Sequence, residues 1–426
     1  MSICTSLLTP IVSLSSDIVY DKNSIPNNQI PIDPSKPVVI LVHGLMGWGQ
    51  GEIPLNYWGD KLRYPGMPVN IIEASVSPIS SFHDRACELI AQIIGCRVDY
   101  GEEHCKVHKH ERFGKDYTGK GLYPSWSKSK PIHLVGHSAG GNTIRYAQYL
   151  LHIGHYNNDT RKTNSRWIRS LHLISAVVNG TTLPYCFGVD PNTGLTDSSN
   201  VTKALGDFVN YLILLNGMTN LTTFDFDLEQ WGITNDISFS DACNQLKSTN
   251  FLRTTDNLLY DLSLQGCYEL NKKVSSYEGT YYFSYVTEQS RVPFWKFWDP
   301  DYLRLNAVLD KSAEEIRKFS LSSIKSIPIK DETDPRWNVI NDGLVPAKSQ
   351  EEPHIFLPNT PIKRSTESIP NLVKLDGTRW YVNDVRSMVG TSFDHGDIVF
   401  GSKLDWKSDS KKAEFYKIIW ETIKKC

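Results

Sequence analysis

Residues 131–142 read Pro-Ile-His-Leu-Val-Gly-His-Ser-Ala-Gly-Gly-Asn, a short apolar strand, a tight turn and the start of a helix. Gly136, Ser138 and Gly140 form the pattern G-x-S-x-G, and apolar residues at helical spacing follow. A serine on a strained strand-to-helix turn needs small neighbours, and the N-terminus of the helix then faces a developing oxyanion. The stretch predicts a nucleophile elbow with Ser138 as nucleophile, rather than a tight turn with an incidental serine.

Composition excludes several classes of protein. The chain has 426 residues, 40% of them hydrophobic and 22% charged, with a formal net charge of -2. This is enough for a large core, and the charge argues against nucleic acid or anionic membrane as a general electrostatic partner, so that any lipid contact must be local and apolar. The 8 cysteines include no C-x-x-C pair, which argues against a thiolate zinc site and a dense disulfide framework but leaves a few bridges open.

The ends and the domain organisation follow from local composition. Residues 1–36 are rich in Ser, Pro, Asn and Asp and predict an extended leader, whereas residues 37–426 predict one domain with insertions at about 95–130 and about 185–275. No apolar run is long enough to form a transmembrane segment, and the N-terminus lacks the basic and apolar regions of a signal peptide. The compartment and oligomeric state stay open, with a cytoplasmic or peripherally lipid-associated protein favoured over a secreted one.

Alternating strand and helix signals predict an α/β fold with a mostly parallel central sheet flanked by helices. Polar residues between Gly95 and Pro131 interrupt the periodicity, and residues 202–218 fit either a core helix or an amphipathic lid. The predicted strands are Val38–Val42, Val69–Ala74, Ile132–Val135, Leu171–Ser175 and Thr280–Val286, and the predicted helices cover residues 84–94, 142–151, 316–326 and 411–425.

The first buried strand ends in His43-Gly44-Leu45, followed by further glycines. In α/β-hydrolases a backbone N–H from such a loop pairs with the N–H of the residue after the nucleophile. Leu45 and Ala139 are therefore the predicted oxyanion donors, with a helix-capping turn as the alternative.

The remaining triad members must follow Ser138, because the chain order in this fold is nucleophile, acid, base. His395 lies in a glycine-flanked loop shortly before the last helix, and His354 lies in an acidic loop. We predict His395 as the base. Asp342, in Asn-Asp-Gly, is the preferred acid, although Asp331 and Asp334 remain candidates and Asn-Asp-Gly also fits a plain turn.

The chain resembles the staphylococcal and thermophilic Geobacillus lipases and a group of plant lipase-like hydrolases. The resemblance runs from about Pro37 to His395. It rests on many short matches, several of which have no catalytic logic of their own: His43-Gly44 with Gly47-Trp48-Gly49, Tyr57-Trp58-Gly59, Asp84-Arg85-Ala86-Cys87-Glu88, Val98-Asp99-Tyr100-Gly101 with His104, His110-Glu111-Arg112-Phe113-Gly114, Gly180-Thr181-Thr182-Leu183, Leu228-Glu229-Gln230-Trp231-Gly232, Thr255-Asp256, Tyr260-Asp261-Leu262-Ser263 and Asn341-Asp342-Gly343.

The resemblance implies the α/β-hydrolase fold and the triad Ser138, Asp342 and His395. It implies a structural zinc site at Asp84, His104, His110 and Asp256, a ligand set that Zn²⁺ accepts. Leu45 and Ala139 depart from the phenylalanine and glutamine of the bacterial lipases, which affects acyl-chain fit but not the backbone donors.

A calcium site is implied less completely by the same resemblance. Asp397 matches a family glutamate two residues after the base, Asp405 comes later than the family aspartate, and a backbone carbonyl is expected near Arg304.

These features together predict a serine carboxylester hydrolase, foremost a triacylglycerol lipase, with a lipid or ester substrate at an oil–water or membrane interface. A phospholipase or acyltransferase on the same triad is the alternative within enzymes. A non-catalytic lipid-binding relic of the fold is the alternative outside them.

Overall fold

The computed structural model describes residues 32–196, 225–233, 241–289, 307–354, 363–365, 369, 375–399 and 406–426, apart from short gaps at 51, 53–55, 60–61, 242–244, 247 and 378. Its main sheet has seven strands in the order β2-β1-β5-β6-β7-β9-β8, and every neighbouring pair in it is parallel. The strands of this sheet are β1 (Val38–Val42), β2 (Asn70–Ala74), β5 (Ile132–His137), β6 (Ile168–Ile174), β7 (Tyr281–Val286), β8 (Lys363–Arg364) and β9 (Arg379–Asp384). A separate antiparallel pair is formed by β3 (Arg97–Asp99) and β4 (Phe113–Asp116).

Helices connect these strands along the chain. Those of the described residues are α1 (Phe82–Ile94), α2 (Glu102–His108), α3 (Ala139–Ile153), α4 (Leu183–Cys186), α5 (Leu258–Asp261), α6 (Leu264–Lys273), α7 (Ala307–Lys318), α8 (Val385–Val389) and α9 (Trp406–Lys425).

Strand β1 shows why the sheet is covered on both faces. All five of its residues are buried, and alternate residues point to opposite faces. Val38, Ile40 and Val42 join a core that includes α1 and α3, whereas Val39 and Leu41 join a core that includes α9. A continuous β-branched run is typical of parallel strands buried on both sides, so the α/β prediction is confirmed.

The carboxyl ends of the parallel strands lie at the same edge of the sheet, and the predicted catalytic loops lie at this edge. His43 and Gly44 follow β1, and Ser138 follows the neighbouring strand β5. Ligands of open parallel sheets bind at the carboxyl ends of the strands. A third apolar cluster includes Met46 of the β1 loop and residues from 185 to 264 and from 321 to 337.

The structure departs from the sequence prediction in several elements. Residues 95–131, where the sequence shows no core periodicity, contain β3, α2 and β4, which are too short for hydrophobic periodicity to reveal. Strand β9 and helices α5 and α6 were not predicted. Helix α9 begins earlier than expected, at Trp406, because its first turn carries little of the apolar stripe. The helix expected at 316–326 was wrong in position: α7 covers Ala307–Lys318, and beyond it, up to residue 326, the chain forms only a 3₁₀ turn at Leu321–Ser323, where the Ser323 hydroxyl donates to the Ser320 carbonyl.

Some predictions fall outside the described residues. These are most of the leader, the candidate lid at 202–218, Arg304 and Asp405. Six described cysteines are free thiols: Cys87, Cys96, Cys105, Cys186, Cys267 and Cys426. Among the helices of the described residues, none combines the length and apolarity that a membrane crossing requires.

Candidate active site

Ser138 lies on a strained turn between β5 and α3. Its backbone has φ 57° and ψ -125°, a combination that costs of order 1–3 kcal/mol for a residue with a side chain. Its N–H donates to the carbonyl of Ile174 on β6 (3.0 Å), which ties the turn to the neighbouring strand. The Ala139 N–H begins α3 and therefore has no acceptor within that helix.

The glycines of the motif are required by close backbone contacts. A Cβ on Gly140 would lie 2.7 Å from the carbonyl oxygen of His43 and closer still to that of Val42. A Cβ on Gly136 would meet the backbone of Gly140. Because these contacts are with main chain at the ends of buried strands, neither position accommodates a larger residue.

The loop after β1 approaches the serine from the other side. A Cβ on Gly44 would lie 2.6 Å from the Ser138 Cβ and 3.1 Å from its Oγ. Arg85 of α1 holds the loop by donating from Nη2 to the His43 carbonyl (2.6 Å). Leu45 follows Gly44, so its N–H and that of Ala139 belong to two segments packed against each other at Ser138.

The Asp342 carboxylate and the His395 ring are brought together from distant parts of the chain. His395 Nδ1 donates to Asp342 Oδ2 (2.8 Å), and the His395 N–H donates to the Asp342 carbonyl (2.9 Å). Both residues are buried. With Nδ1 protonated, the neutral imidazole presents a lone pair at Nε2, as a general base requires.

Ser138 reaches His395 through its neighbour His137. The His137 and His395 rings lie 4.7 Å apart, and His137 Nε2 lies 3.0 Å from the His395 carbonyl oxygen. In the described part of the chain Ser138 Oγ makes no hydrogen bond to His395. Such bonds are often long before substrate binds and shorten in the reacting complex.

The other candidate acids and base lie elsewhere. Asp334 caps the turn at Pro335–Trp337 and pairs with Arg336 (2.6 Å). Lys348 lies 3.5 Å from Asp331, and His354 packs its ring against Trp337 (5.3 Å). None of these three candidates contacts Ser138 or His395 within the residues that the structure describes.

Four predicted metal ligands converge beside α1 and α2. Single ligand atoms of Asp84, His104, His110 and Asp256 all lie within 4.8 Å of one another. His104 Nε2 is 3.2 Å from Asp84 Oδ1, and His110 Nε2 is 3.0 Å from Asp256 Oδ2. Ligand atoms about 3.3 Å apart are what a tetrahedron with metal bonds of about 2.0 Å produces.

The His110 imidazole is oriented as a metal ligand. His110 Nδ1 donates to the Glu111 carbonyl (2.8 Å), so its Nε2 carries the lone pair that faces the cluster. The Nε2 atoms of His104 and His110 and Oδ2 of Asp256 are buried without a well-formed hydrogen bond. Buried polar atoms of this kind need a partner, and a cation at the centre would supply it.

Without a metal this cluster would hold protons. Burial by itself lowers the pKa of His104, but the carboxylates of Asp256 and Asp84 outweigh it and raise that pKa to about 9. The pKa of His110 is raised to about 11, against the effect of burial, chiefly by Asp256. Metal binding would therefore displace protons from the cluster.

Only part of the predicted calcium site is described. The Asp397 N–H donates to Asp394 Oδ1 (2.7 Å). Burial and the nearby Asp397 charge raise the pKa of Asp394 to about 8. The loop that carries His395 thus brings the Asp397 backbone onto the Asp394 carboxyl.

Comparison with known proteins places the chain in a family. Residues 35–426 match the family described as the lipase-like C-terminal domain. The chain belongs to this lipase-like family.

The chain is similar to proteins known by sequence and to proteins of known structure. Lipase 2 of Staphylococcus aureus is 30% identical over 401 residues, which cover 90% of this chain and 53% of the relative. The chain spans about half the length of the curated relatives it matches. Among solved structures, EstA from Clostridium botulinum is 30% identical (TM-score 0.69, 90% of this chain and 88% of that one), and Lipase 1 from Pelosinus fermentans is 28% identical (TM-score 0.68, 92% and 99%).

Several residues that contact the lipase-like triad candidates were not predicted. Thr287 Oγ1 and Gln350 Nε2 donate to Asp342 Oδ2 at 2.9 and 3.2 Å. Tyr57 was quoted only as part of a family match, and His137 only as a motif neighbour. No sequence signal marks a polar residue as a partner of another that is distant in the chain.

Proposed function

We propose that this chain is a serine carboxylester hydrolase, foremost a triacylglycerol lipase, that cleaves acyl esters through an acyl-enzyme. The hydrogen bond between Asp342 and His395, at the sheet edge where Ser138 projects, carries the proposal. The family membership and the names of its lipase relatives support the same substrate class.

The proposed reaction gives each residue of the site a defined role. His395 Nε2 takes the proton of Ser138 while Oγ attacks the ester carbonyl. The N–H groups of Leu45 and Ala139 stabilise the tetrahedral oxyanion, and His395 returns the proton to the leaving alcohol. Water then repeats the sequence on the acyl-enzyme, and Asp342 holds the imidazole throughout.

The nucleophile is tested by p-nitrophenyl ester hydrolysis in the wild type and in Ser138→Ala. We expect turnover to fall at least about a thousandfold in the variant. Equal turnover in the two proteins would reject the mechanism. Failure of the wild type to react with a fluorophosphonate probe would instead favour a non-catalytic lipid-binding protein.

Substrate class is decided by product analysis. The proposal expects fatty acid release from triglyceride emulsions, with a substrate at an oil–water or membrane interface. Release from phospholipids alone, or transfer of the acyl group to an added alcohol in preference to water, would assign the same triad to a phospholipase or an acyltransferase. Fractionation of cells tests the proposed cytoplasmic or peripherally lipid-associated location.

We further propose that the cluster of Asp84, His104, His110 and Asp256 holds a structural zinc ion. The mixed carboxylate and imidazole set and its tetrahedral spacing support zinc. Four protein side chains would complete the tetrahedral coordination of the ion. The ion would therefore stabilise the fold and have no open coordination position for substrate. Elemental analysis of protein purified without added metal should find one zinc per chain in the wild type and none in Asp256→Asn.

Calcium is proposed at Asp397 with Asp405 and a carbonyl near Arg304. The Asp397 charge, which after burial is the main cause that raises the pKa of Asp394, supports a cation there, because a cation would offset that repulsion. Calcium addition should raise the melting temperature of the wild type and not that of Asp397→Asn.

A further inference from the structure

A chain of buried hydrogen bonds connects the loop after β1 with the loop that carries His395. The Gly44 N–H lies 2.9 Å from the Tyr57 hydroxyl, and this hydroxyl lies 2.6 Å from His137 Nδ1. On its other side His137 Nε2 lies 3.0 Å from the His395 carbonyl oxygen. This chain of hydrogen bonds passes through the side chain of His137, the residue that precedes Ser138 in the sequence.

The direction of every bond follows from one atom. A carbonyl oxygen only accepts, so His137 Nε2 must carry the proton that it donates to His395. In neutral imidazole Nδ1 is then an acceptor, and the Tyr57 hydroxyl donates to it. The hydroxyl oxygen in turn accepts from the Gly44 N–H. One arrangement therefore satisfies every donor and acceptor in the chain.

The surroundings keep His137 in this state. Burial, together with the nearby His395 and His43, lowers its pKa well below the ordinary value, so the ring stays neutral. Tyr57 and Trp58 pack edge-on against it at 5.8 and 6.4 Å. The ring can therefore neither gain a proton nor rotate freely at working pH.

We propose that Tyr57 and His137 are positioning residues that fix the distance between the nucleophile, the base and the oxyanion loop. The inference rests on the proposed function. His137 sets the position of His395 relative to Ser138, because its backbone continues into Ser138 and its side chain holds the His395 carbonyl. Tyr57 extends the same restraint to Gly44, next to the Leu45 donor.

The restraint acts together with the Asp342 contact. Asp342 fixes His395 through Nδ1 and through its N–H, whereas His137 fixes the carbonyl of the same residue. Three points on His395 are thus held from two directions. An error of about 1 Å in the alignment of reacting groups costs about a hundredfold in rate.

The test compares Tyr57→Phe with a matched control, Tyr156→Phe. Tyr156 is also buried, accepts from a backbone N–H (Asp99, 3.3 Å) and donates to a backbone carbonyl (Cys87, 2.8 Å), but it lies outside the catalytic loops. We expect kcat for p-nitrophenyl butyrate to fall ten- to a hundredfold in Tyr57→Phe, with KM within about twofold. In Tyr156→Phe kcat should stay within about twofold of the wild-type value. The melting temperature should fall by about as much in Tyr156→Phe as in Tyr57→Phe.

The outcomes separate this inference from the function on which it rests. A kcat of Tyr57→Phe within twofold of wild type, or an equal loss in Tyr156→Phe, would overturn the positioning role. If wild type and Ser138→Ala do not differ, the hydrolase proposal itself fails.

A second measurement does not depend on activity. ¹⁵N spectra of histidine-labelled wild-type protein should show His137, identified by comparison with His137→Gln, as the neutral Nε2–H tautomer from pH 5 to pH 8. Tyr57→Phe should shift only its Nδ1 resonance. An Nδ1–H tautomer, or protonation within this range, would contradict the bond directions.

Discussion

At the scale of single residues, the Asp342 carboxylate is the most heavily hydrogen-bonded group of the site. Oδ1 accepts from the N–H groups of Leu344 (3.1 Å) and Val345 (2.8 Å). Oδ2 accepts from His395, Thr287 and Gln350. Both oxygens face donors only, so the orientation of the carboxylate, and with it the tautomer of His395, is fixed.

Asp342→Asn should therefore disable the proposed triad. Whichever way the amide is turned, its NH₂ group faces donors, so either the loop contacts or the His395 contact must break. Loss of the required tautomer lowers kcat by about 10⁴ in triads of this kind. The fall in kcat is measured by ester hydrolysis with the purified variant.

The matched control is Asp334→Asn, which removes a carboxylate paired with Arg336 and should leave kcat within about twofold of the wild-type value. The reverse pattern would make Asp334 the acid.

A second residue-scale prediction concerns backbone contact. Gly140→Ala introduces a methyl group against the carbonyl oxygens of Val42 and His43, which belong to the rigid end of β1. We expect the free energy of unfolding to fall by about 3 kcal/mol or more. Chemical denaturation measures the change. Gly377→Ala, whose added methyl group would lie 3.7 Å from the Tyr281 ring, should change it by less than about 1 kcal/mol. Equal effects would mean that the elbow tolerates a side chain.

At the scale of elements, Val98 and Tyr100 bury the start of the segment from β3 to β4, whereas the part from α2 to β4 buries little apolar surface. Helix α2 buries only Cys105, and Val107 and Phe113 are 69% and 45% exposed. The hydrophobic effect therefore contributes little to the docking of α2 and β4. The cluster of His104 and His110 with Asp84 of α1 and Asp256 supplies the cross-link instead.

Metal removal should loosen this segment selectively. We expect a chelator to lower the melting temperature by at least about 5 °C and to speed tryptic cleavage of the backbone after Lys106, Lys109 and Arg112. Re-addition of zinc should reverse both changes. Asp256→Asn should behave like chelated wild type with or without zinc, whereas Asp159→Asn, an exposed change, should respond like untreated wild type. A melting temperature insensitive to the chelator would remove the stabilising role.

At the scale of the whole molecule, buried histidines make the fold sensitive to acid. Burial is the main cause that lowers the pKa of each, to about 3 for His43 and His133 and about 4 for His354, and well below the ordinary value for His137 and His172. They stay neutral when folded and gain protons only when the chain unfolds. Their contribution to stability is present above the unfolded pKa of about 6.5 and is lost as the pH falls below it.

Buried carboxyl groups act in the opposite direction. Burial raises the pKa of Glu88, Asp261 and Asp394 to about 8. The folded protein keeps these protons where the unfolded chain, with pKa values near 4, releases them. Stability from this source is lost as the pH rises from about 4 towards 8.

The two groups together predict a stability maximum between about pH 6 and pH 7. Below this range the buried histidines bind more protons in the unfolded chain, and above it the buried carboxyls bind more protons in the folded protein, so stability falls on both sides. Urea unfolding midpoints from pH 5 to pH 8 measure the profile. A midpoint that rises steadily across this range would contradict the balance.

The sequence by itself determined the elements whose pattern is local. The run Val38–Val42, the G-x-S-x-G turn at Ser138 and the stripe of α9 are each set by residues that are close in the chain, so periodicity and steric rules detect them. The four metal ligands were predicted only from the family resemblance, because matching positions in related sequences can be identified without a local pattern that explains them. The short elements β3, α2 and β4 were not predicted, because detecting a hydrophobic period requires more residues than they contain.

Only the tertiary structure decided which distant polar groups meet. Sequence reasoning left Asp331, Asp334 and Asp342 open as acids, and the packing of the loops put Asp342 alone of these in contact with His395. It likewise joined Tyr57, His137 and Gly44 in one hydrogen-bonded chain, and surrounded Asp342 with Thr287 and Gln350. Hydrogen bonds depend on distance and direction in space, which a one-dimensional order of residues does not contain.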